Sequence, residues 1–462
     1  MISLIDLLII SVYLFIILII GFLVGKKENL EGYLVNNRKT KSILLVFTIV
    51  STTVGMGVFL AISSASYKNG ISYGLTVMLA SVLSMFLVAY FAPKIKRFGD
   101  KYKAHTLGDW FAVKYGKKNR LLVSIIILVA YFFLMALQFV GISGLVHVIS
   151  GLDFQIALII TSLITIVYTT VAGIKSDFYT DAVHFVVMIL TLFLVLLPFS
   201  LMKSGGLSFL SSLPTSYFNP FAFSGISFFI GGLVFGATGF LVSMDIWQRI
   251  YASTTEKEAK KVYIWSAFLL IIFFIPTIFL GLIAFNVVPG VNPDFALFEL
   301  MKIGLPVGLL GLGIAGILAA AMSTVNSMIL VGSITILKDI HKSFLNPDLS
   351  EHQMLRLARI YTFSYGLLGL VVAYLFPNMV QLQIVSAATL VVLAPATIGG
   401  FVWKKSTAKA SFWSIIIGII ITFALYPWMP TLSFIPGTLT SLILFIIISK
   451  LTYKETKSAL NS

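Results

Sequence analysis

Ser51-Thr52-Thr53-Val54-Gly55-Met56-Gly57 interrupts the otherwise apolar stretch 42–66, which is long enough to cross a bilayer. A spanning helix needs about 20 apolar residues, so small polar residues and glycines in its middle call for a reason. Glycine lowers the cost of unwinding, and unwound backbone offers carbonyls to a cation and amides to an anionic group. A matching interruption, Gly231-Gly232 followed by Gly236-Ala237-Thr238-Gly239, lies in the apolar stretch 225–243. Either segment alone is explained as well by close helix packing, for which membrane bundles use small residues. Their places in the chain separate the two readings.

Thirteen stretches qualify as spans: 3–25, 42–66, 72–92, 121–149, 155–173, 178–202, 225–243, 262–287, 304–336, 360–376, 380–403, 410–429 and 432–449. Setting aside the first and the last two leaves two sets of five, 42–202 and 225–403. An odd number of spans per set inverts the second set relative to the first, and each interruption falls in the first span of its set. Inverted five-helix repeats with a midplane site between them are a transporter architecture. The expected fold class is therefore an all-α integral membrane protein of about 13 transmembrane helices. A 5+5 inverted repeat carries an extra helix at 3–25 and two at 410–449, and 1–462 forms a single transporter domain.

Composition agrees. Hydrophobic residues make up 59% of the 462, charged residues 11%, and mean hydropathy is +1.03, against about 25% charged in soluble chains. Of 32 lysines and arginines, all but Lys68, Lys203 and Lys302 fall in alternate connections on one face. Cytoplasmic loops carry that excess, which predicts a multi-pass protein of the cytoplasmic membrane with its N-terminus outside and its C-terminus inside. The formal charge of +15 is spread over short loops beside apolar spans. It reads as topology and contact with the anionic lipid bilayer, not as a nucleic-acid surface. Residues 1–25 lack a basic leader and run straight into Lys26-Lys27, which predicts a retained helix and not a signal peptide. The longest polar stretch, 93–120, contains Leu107 and Trp110-Phe111, expected at the membrane interface. No cysteine is present, which removes disulfides and thiolate chemistry.

Polar residues inside spans mark the chemistry. In Gly316-Ile317-Leu318-Ala319-Ala320-Ala321-Met322-Ser323-Thr324-Val325-Asn326-Ser327, Ser323 and Ser327 are four apart, Thr324 and Asn326 flank them, and Ala320 lies one turn earlier. Hydroxyls with backbone carbonyls form a weakly charged hard-oxygen site suited to Na⁺; the competing reading is hydroxyls bonded back to their own helix. Asp181 follows Asp177 at the start of a span, and ionisable residues at that depth mark ion or substrate pathways. Asp177 reads as a helix N-terminal charge at the interface, Asp181 as the ion ligand. Asp245 and Arg249, four apart, read as an inner gate or clamp at the cytoplasmic end of their span. Gln138 is a lone amide in mid-span that either bonds solute or glues helices. The histidines are dispersed and no phosphate-binding loop occurs, so neither an enzyme nor an ATP-driven pump is indicated.

Three of these segments together resemble the sodium:solute symporter family. Ala319-Ala320-Ala321-Met322-Ser323-Thr324 resembles its sodium helix, nearest to the proline-carrier branch. Ala172-Gly173-Ile174-Lys175-Ser176-Asp177-Phe178-Tyr179-Thr180-Asp181 is similar to its Gly-Gly-x-(Lys/Arg)…Thr-Asp segment, and Asp245…Gln248-Arg249 to its Asp…Gln-Arg signature. The resemblance implies a LeuT-type fold and Na⁺-coupled symport by alternating access. It implies a main Na⁺ site of Ser51 and Val54 backbone oxygens, the Ala320 carbonyl and the Ser323 and Thr324 hydroxyls. A second Na⁺ site, found in some members, uses Asp181 with Thr324, Asn326 and Ser327; Asn326 stands where serine is usual. Ile329-Leu330-Val331 replaces the family's Leu-Asn-Ser, which argues against a close sugar carrier. The solute, a small polar or zwitterionic metabolite or an organic anion, is expected among Thr52, Thr53, Met56, Gln138, Phe235, Thr238, Gln383 and Ser386. No obligatory protein partner is implied. Competing expectations are H⁺ coupling through Asp181, a non-transporting solute sensor and a passive channel.

Overall fold

The computed structural model describes residues 2–25, 29–171 and 173–460, so Lys26, Lys27 and Ala172 lie outside the described residues. Eleven helices are long and apolar enough to span a membrane, and a bent pair supplies another span. With the shorter apolar helix 154–171, every expected span coincides with a helix. In chain order these are α1 (Leu4–Gly25), α2a (Ser42–Thr53) with α2b (Gly57–Asn69), α3 (Ser72–Tyr102), α4 (Lys117–Ser150), α5 (Phe154–Val171) and α6 (Ile174–Lys203). There follow α7a (Gly225–Val234) with α7b (Met244–Ala252), α8 (Glu256–Val287), α9 (Leu309–Leu345), α10 (Glu351–Leu375), α11 (Met379–Val402), α12 (Ala408–Leu425) and α13 (Phe434–Tyr453).

The interruptions lie where the glycines stand. At Val54 the backbone leaves the helix (φ −89°, ψ 57°), and α2b departs from α2a at 48°. The second break is longer than the sequence suggested. After Val234 the chain runs as a 3₁₀ stretch over Gly236–Val242, turns at Ser243 and becomes helical again as α7b. Asp245, Gln248 and Arg249 lie beyond the apolar stretch 225–243, yet every residue of α7b is buried. Asp245 and Arg249 thus stand at the end of their span, as expected, on a second buried helix that follows its break. Polar residues survive at such a depth only when paired inside the protein.

α9 is the central post. Nearly all its residues from Leu310 to Thr335 are buried, and it packs on α1, α2a, α4, α6 and α10. α1 is held against it by one carboxylate: Asp6 Oδ1 accepts from the Gly308 and Gly311 N–H groups at 2.8 and 2.7 Å, at the positive end of α9. The rest of α1 exposes Leu4, Phe15 and Phe22, a face suited to lipid.

Several helices outrun their apolar cores. α3 continues through Pro93 to Tyr102, while α8 and α10 begin at Glu256 and Glu351, capped by Thr255 and Ser350. Within the polar stretch 93–120, a short helix, Leu107–Tyr115, is opened by a Thr106/Asp109 capping box. Leu107, Trp110 and Phe111, expected at the membrane interface, face the protein interior and not the lipid. All three are buried, and Trp110 stacks on Phe401 at 4.7 Å and lies 5.8 Å from Trp247.

Candidate functional site

Breaking α2 after Thr53 exposes carbonyls that α9 meets with hydroxyls. Ser323 Oγ donates to Ser51 O at 2.8 Å and lies 3.1 Å from Ala320 O; Thr324 Oγ1 donates to Thr52 O at 2.8 Å and lies 3.1 Å from Ala320 O. Of the expected main-site residues, Ser51, Ala320, Ser323 and Thr324 thus come together. Thr52 supplies the second α2 carbonyl in contact with them, while Val54 closes α2a by donating to Val50 O. The approach is tight at Gly55, where an added Cβ would lie 2.2 Å from Thr324 Oγ1 and 2.8 Å from Gln138 Oε1. Beyond the break, Met56 N–H donates to Gln138 Oε1 at 2.8 Å. The cluster is uncharged and rich in oxygen, the donor chemistry of a hard monovalent cation.

A second cluster surrounds the guanidinium of Arg249, itself only 1% exposed. Its Nη2 donates to Thr52 Oγ1 (2.6 Å), Ser327 Oγ (2.8 Å), Thr48 Oγ1 (3.0 Å) and Asp181 Oδ2 (3.4 Å), with Asp177 Oδ2 at 3.8 Å. Asp181 also accepts from Thr48 and Thr52. Asp177 is a first-turn charge of α6, as expected, but it is buried within the protein and accepts from Ser327 Oγ at 2.7 Å. The expected grouping of Asp181 with Thr324, Asn326 and Ser327 is rearranged. Ser327 reaches Asp177, Thr52 and Arg249, Thr324 faces α2, and Asn326 Oδ1 accepts from Thr169 of α5 at 2.6 Å. Arg249 meets Asp245 less closely, its Nη1 lying 3.9 Å from Asp245 Oδ2. Asp245 Oδ1 accepts instead from the Tyr131 hydroxyl of α4.

Between these clusters and α3, α7, α8 and α11 lies a cavity of about 240 Å³. Thr52, Thr53, Gln138, Gln383 and Ser386 line it as expected. Met56, Phe235 and Thr238 do not. Met56 packs on α4 at Gly141, where an added Cβ would lie 2.6 Å from its Cγ. Phe235 and Thr238 turn toward α11 and α13, lining a separate apolar groove with Pro395 and Phe445. A 3₁₀ turn directs side chains differently from the α-helix assumed there, so Gly232, Gly236, Gly239, Phe240 and Ser243 face the cavity. Sequence reasoning missed Asp245 and Tyr73 as lining residues; Tyr73 OH donates to Gln383 Oε1 at 3.1 Å.

The model of the sodium:solute symporter family matches residues 33–418. Among relatives, the chain is 26% identical to an uncharacterized symporter of Bacillus subtilis (91% of this chain, 87% of the relative). It is 25% identical to the sodium/pantothenate symporter of Escherichia coli (90% of each). To the sodium/proline symporter of Haemophilus influenzae it is 24% identical (98% and 95%). Among solved structures, a Na⁺-coupled sialic acid symporter in a substrate-bound outward-open state superposes with a TM-score of 0.85 at 20% identity (97% and 98% covered). The nucleobase-cation-symport-1 family transporter Mhp1 gives 0.64 at 15% identity (91% and 94%). The fold is the all-α LeuT type, a 5+5 inverted repeat with additional helices.

Proposed function

The chain belongs to the sodium:solute symporter family, with Na⁺ as its coupling ion, and from that premise we propose how its residues divide the work of uptake. Na⁺ binds as cargo between α2 and α9, on the Ser51 and Ala320 carbonyls and the Ser323 and Thr324 hydroxyls, with Val54 at the rim. Two hydroxyls already aimed at carbonyls of a broken helix, at 2.8 to 3.1 Å, are the observation that carries this assignment. On binding, they turn their lone pairs to the ion, and their protons leave the carbonyls.

The small solute occupies the cavity beside this site, against Thr52, Thr53, Gln138, Gln383 and Ser386. Because Thr52, next to the ion ligand Ser51, and Thr324, itself an ion ligand, both line the cavity, solute and Na⁺ stabilise the same arrangement of α2 and α9, which is the coupling. Asp181 and Ser327 anchor Arg249 and thereby clasp α7b to α2a, α6 and α9 as the inner gate. Asn326 ties α9 to α5. Residues 42–202 and 225–403 are the two repeats, set in the cytoplasmic membrane with the N-terminus outside. One charge crossing 100 mV supplies about 2.3 kcal/mol, enough for roughly fifty-fold accumulation.

The test is Na⁺-driven uptake into proteoliposomes. Ser323→Ala and Thr324→Ala are each expected to raise the Na⁺ concentration for half-maximal uptake by about tenfold or more, with little change in expression. Normal Na⁺ dependence in both variants would remove the site assignment.

A further inference from the structure

The cavity wall has a sign. Among the described residues, its lining contains no lysine, arginine or histidine, and its only carboxylate is that of Asp245. Oδ1 of this carboxylate is taken by the Tyr131 hydroxyl. Oδ2 accepts no hydrogen bond among the described residues, and Arg249, the nearest cation, stands 3.9 Å away. Three carboxylates share that guanidinium: its Nη2 contacts Thr52, Ser327 and Asp181, while its Nη1 donates to the Asp245 carbonyl oxygen at 3.3 Å. Of these three carboxylates only that of Asp245 faces the cavity. Around the same space stand the rings of Tyr73, Phe228, Phe240 and Phe274.

A carboxylate set among aromatic faces suits an organic ammonium group. The carboxylate supplies a charge-assisted acceptor, the rings supply cation–π attraction and apolar contact, and a wall with few charges strengthens both. An organic anion would meet Asp245 with no guanidinium in the lining to offset it, a like-charge juxtaposition that selects against it. Resting on the symport reading, we infer that the solute carries a protonated nitrogen, held by Asp245 Oδ2, on a compact apolar body. Organic acids lacking such a nitrogen are excluded, and Asp245 is the specificity-determining residue.

The test uses purified full-length protein in Na⁺, with K⁺ as control, and two isosteric sets: proline, pyrrolidine and cyclopentanecarboxylate; phenylalanine, phenethylamine and 3-phenylpropionate. Thermal stabilisation is the readout. Stabilisation by nitrogen-bearing members but not by the deaminated acids is expected. Asp245→Asn should weaken it by about tenfold or more, with part of the loss recovered in Asp245→Glu. Equal or better binding of the acids overturns the inference, as does silence from every nitrogen-bearing member. It also fails if Asp245→Asn shifts the Na⁺ requirement and leaves solute affinity intact, for then the carboxylate serves the ion. Should Asp245→Asn not fold, the wild-type comparison decides. Stabilisation by Na⁺ over K⁺ without any solute reports on the symport reading separately, so an acid that binds only with Na⁺ sinks the inference and leaves that reading standing.

Discussion

At position 55 the difference between a hydrogen and a methyl group reaches the ion site. A Cβ there would meet Thr324 Oγ1 at 2.2 Å and Gln138 Oε1 at 2.8 Å, whereas one at Gly57 would meet only the end of Gln383, at 3.1 Å. Gly55→Ala should therefore cut Na⁺-driven uptake by about tenfold or more, because α2 and α9 are pushed apart where packing has no slack. Gly57→Ala should alter solute affinity more than Na⁺ affinity. Uptake measured across Na⁺ and solute titrations separates the two. The glycines were legible in the sequence as places where backbone must come close; what they approach was not. Ser323 and Thr324 were legible because two hydroxyls on one helix face need partners. The partners of Asp177 were not legible, because a first-turn carboxylate ordinarily faces the positive helix end in water, and nothing local records that Ser327 and Arg249 come to cover it. Tyr131 had no signal at all, being one aromatic residue among many in α4.

At the scale of elements, apolar length located every span but not the helix 244–252, whose charged residues mimic a loop until their partners on α2a, α6 and α9 are known. Similar tertiary pairing organises the short segments next to the spans. Glu31, in the short helix Leu30–Val35, accepts from Arg38 and lies 2.6 Å from His105 Nε2. The His105 hydrogen bond holds the Glu31 carboxyl down to about 2, while burial keeps the His105 imidazole below its ordinary range. A group with a depressed folded pKa contributes stability above its unfolded pKa and loses it as pH falls. For His105 the loss starts near pH 6.5, and for Glu31 it starts only near pH 4.3. Thermal stability in detergent is accordingly expected to decline from about pH 7.5 to about pH 5. His105→Gln, which keeps a donor toward Glu31 but cannot titrate, should flatten that decline. An unchanged slope in the variant would show that other groups govern it.

For the whole molecule, the proposed orientation rests on where cations collect, and the absence of cysteine makes it directly measurable. Lys203→Cys, at the end of α6, should react with an impermeant maleimide in intact cells. Lys405→Cys, between α11 and α12, should react only after permeabilisation; the reverse pattern would invert the assignment. Architecture was the most legible level, since composition, charge asymmetry and the two interrupted spans all constrain it at once. The direction in which each lining residue points was least so, because 3₁₀ and π segments, at Gly57–Ile62, Thr191–Leu196, Gly236–Val242 and Ile336–Leu345, shift the helical phase on which such reasoning depends.

The stack of Trp110 on Phe401, with Trp247 beside it, joins the short helix 107–115 to α11 and α7b at a point sealed from water. An excursion that parts α7b from the helix 107–115 changes the distance between the two indoles, 5.8 Å here. Ultraviolet emission of the native protein, compared with that of Trp110→Phe and Trp247→Phe, is therefore expected to report separation of α7b from its neighbours without any attached dye.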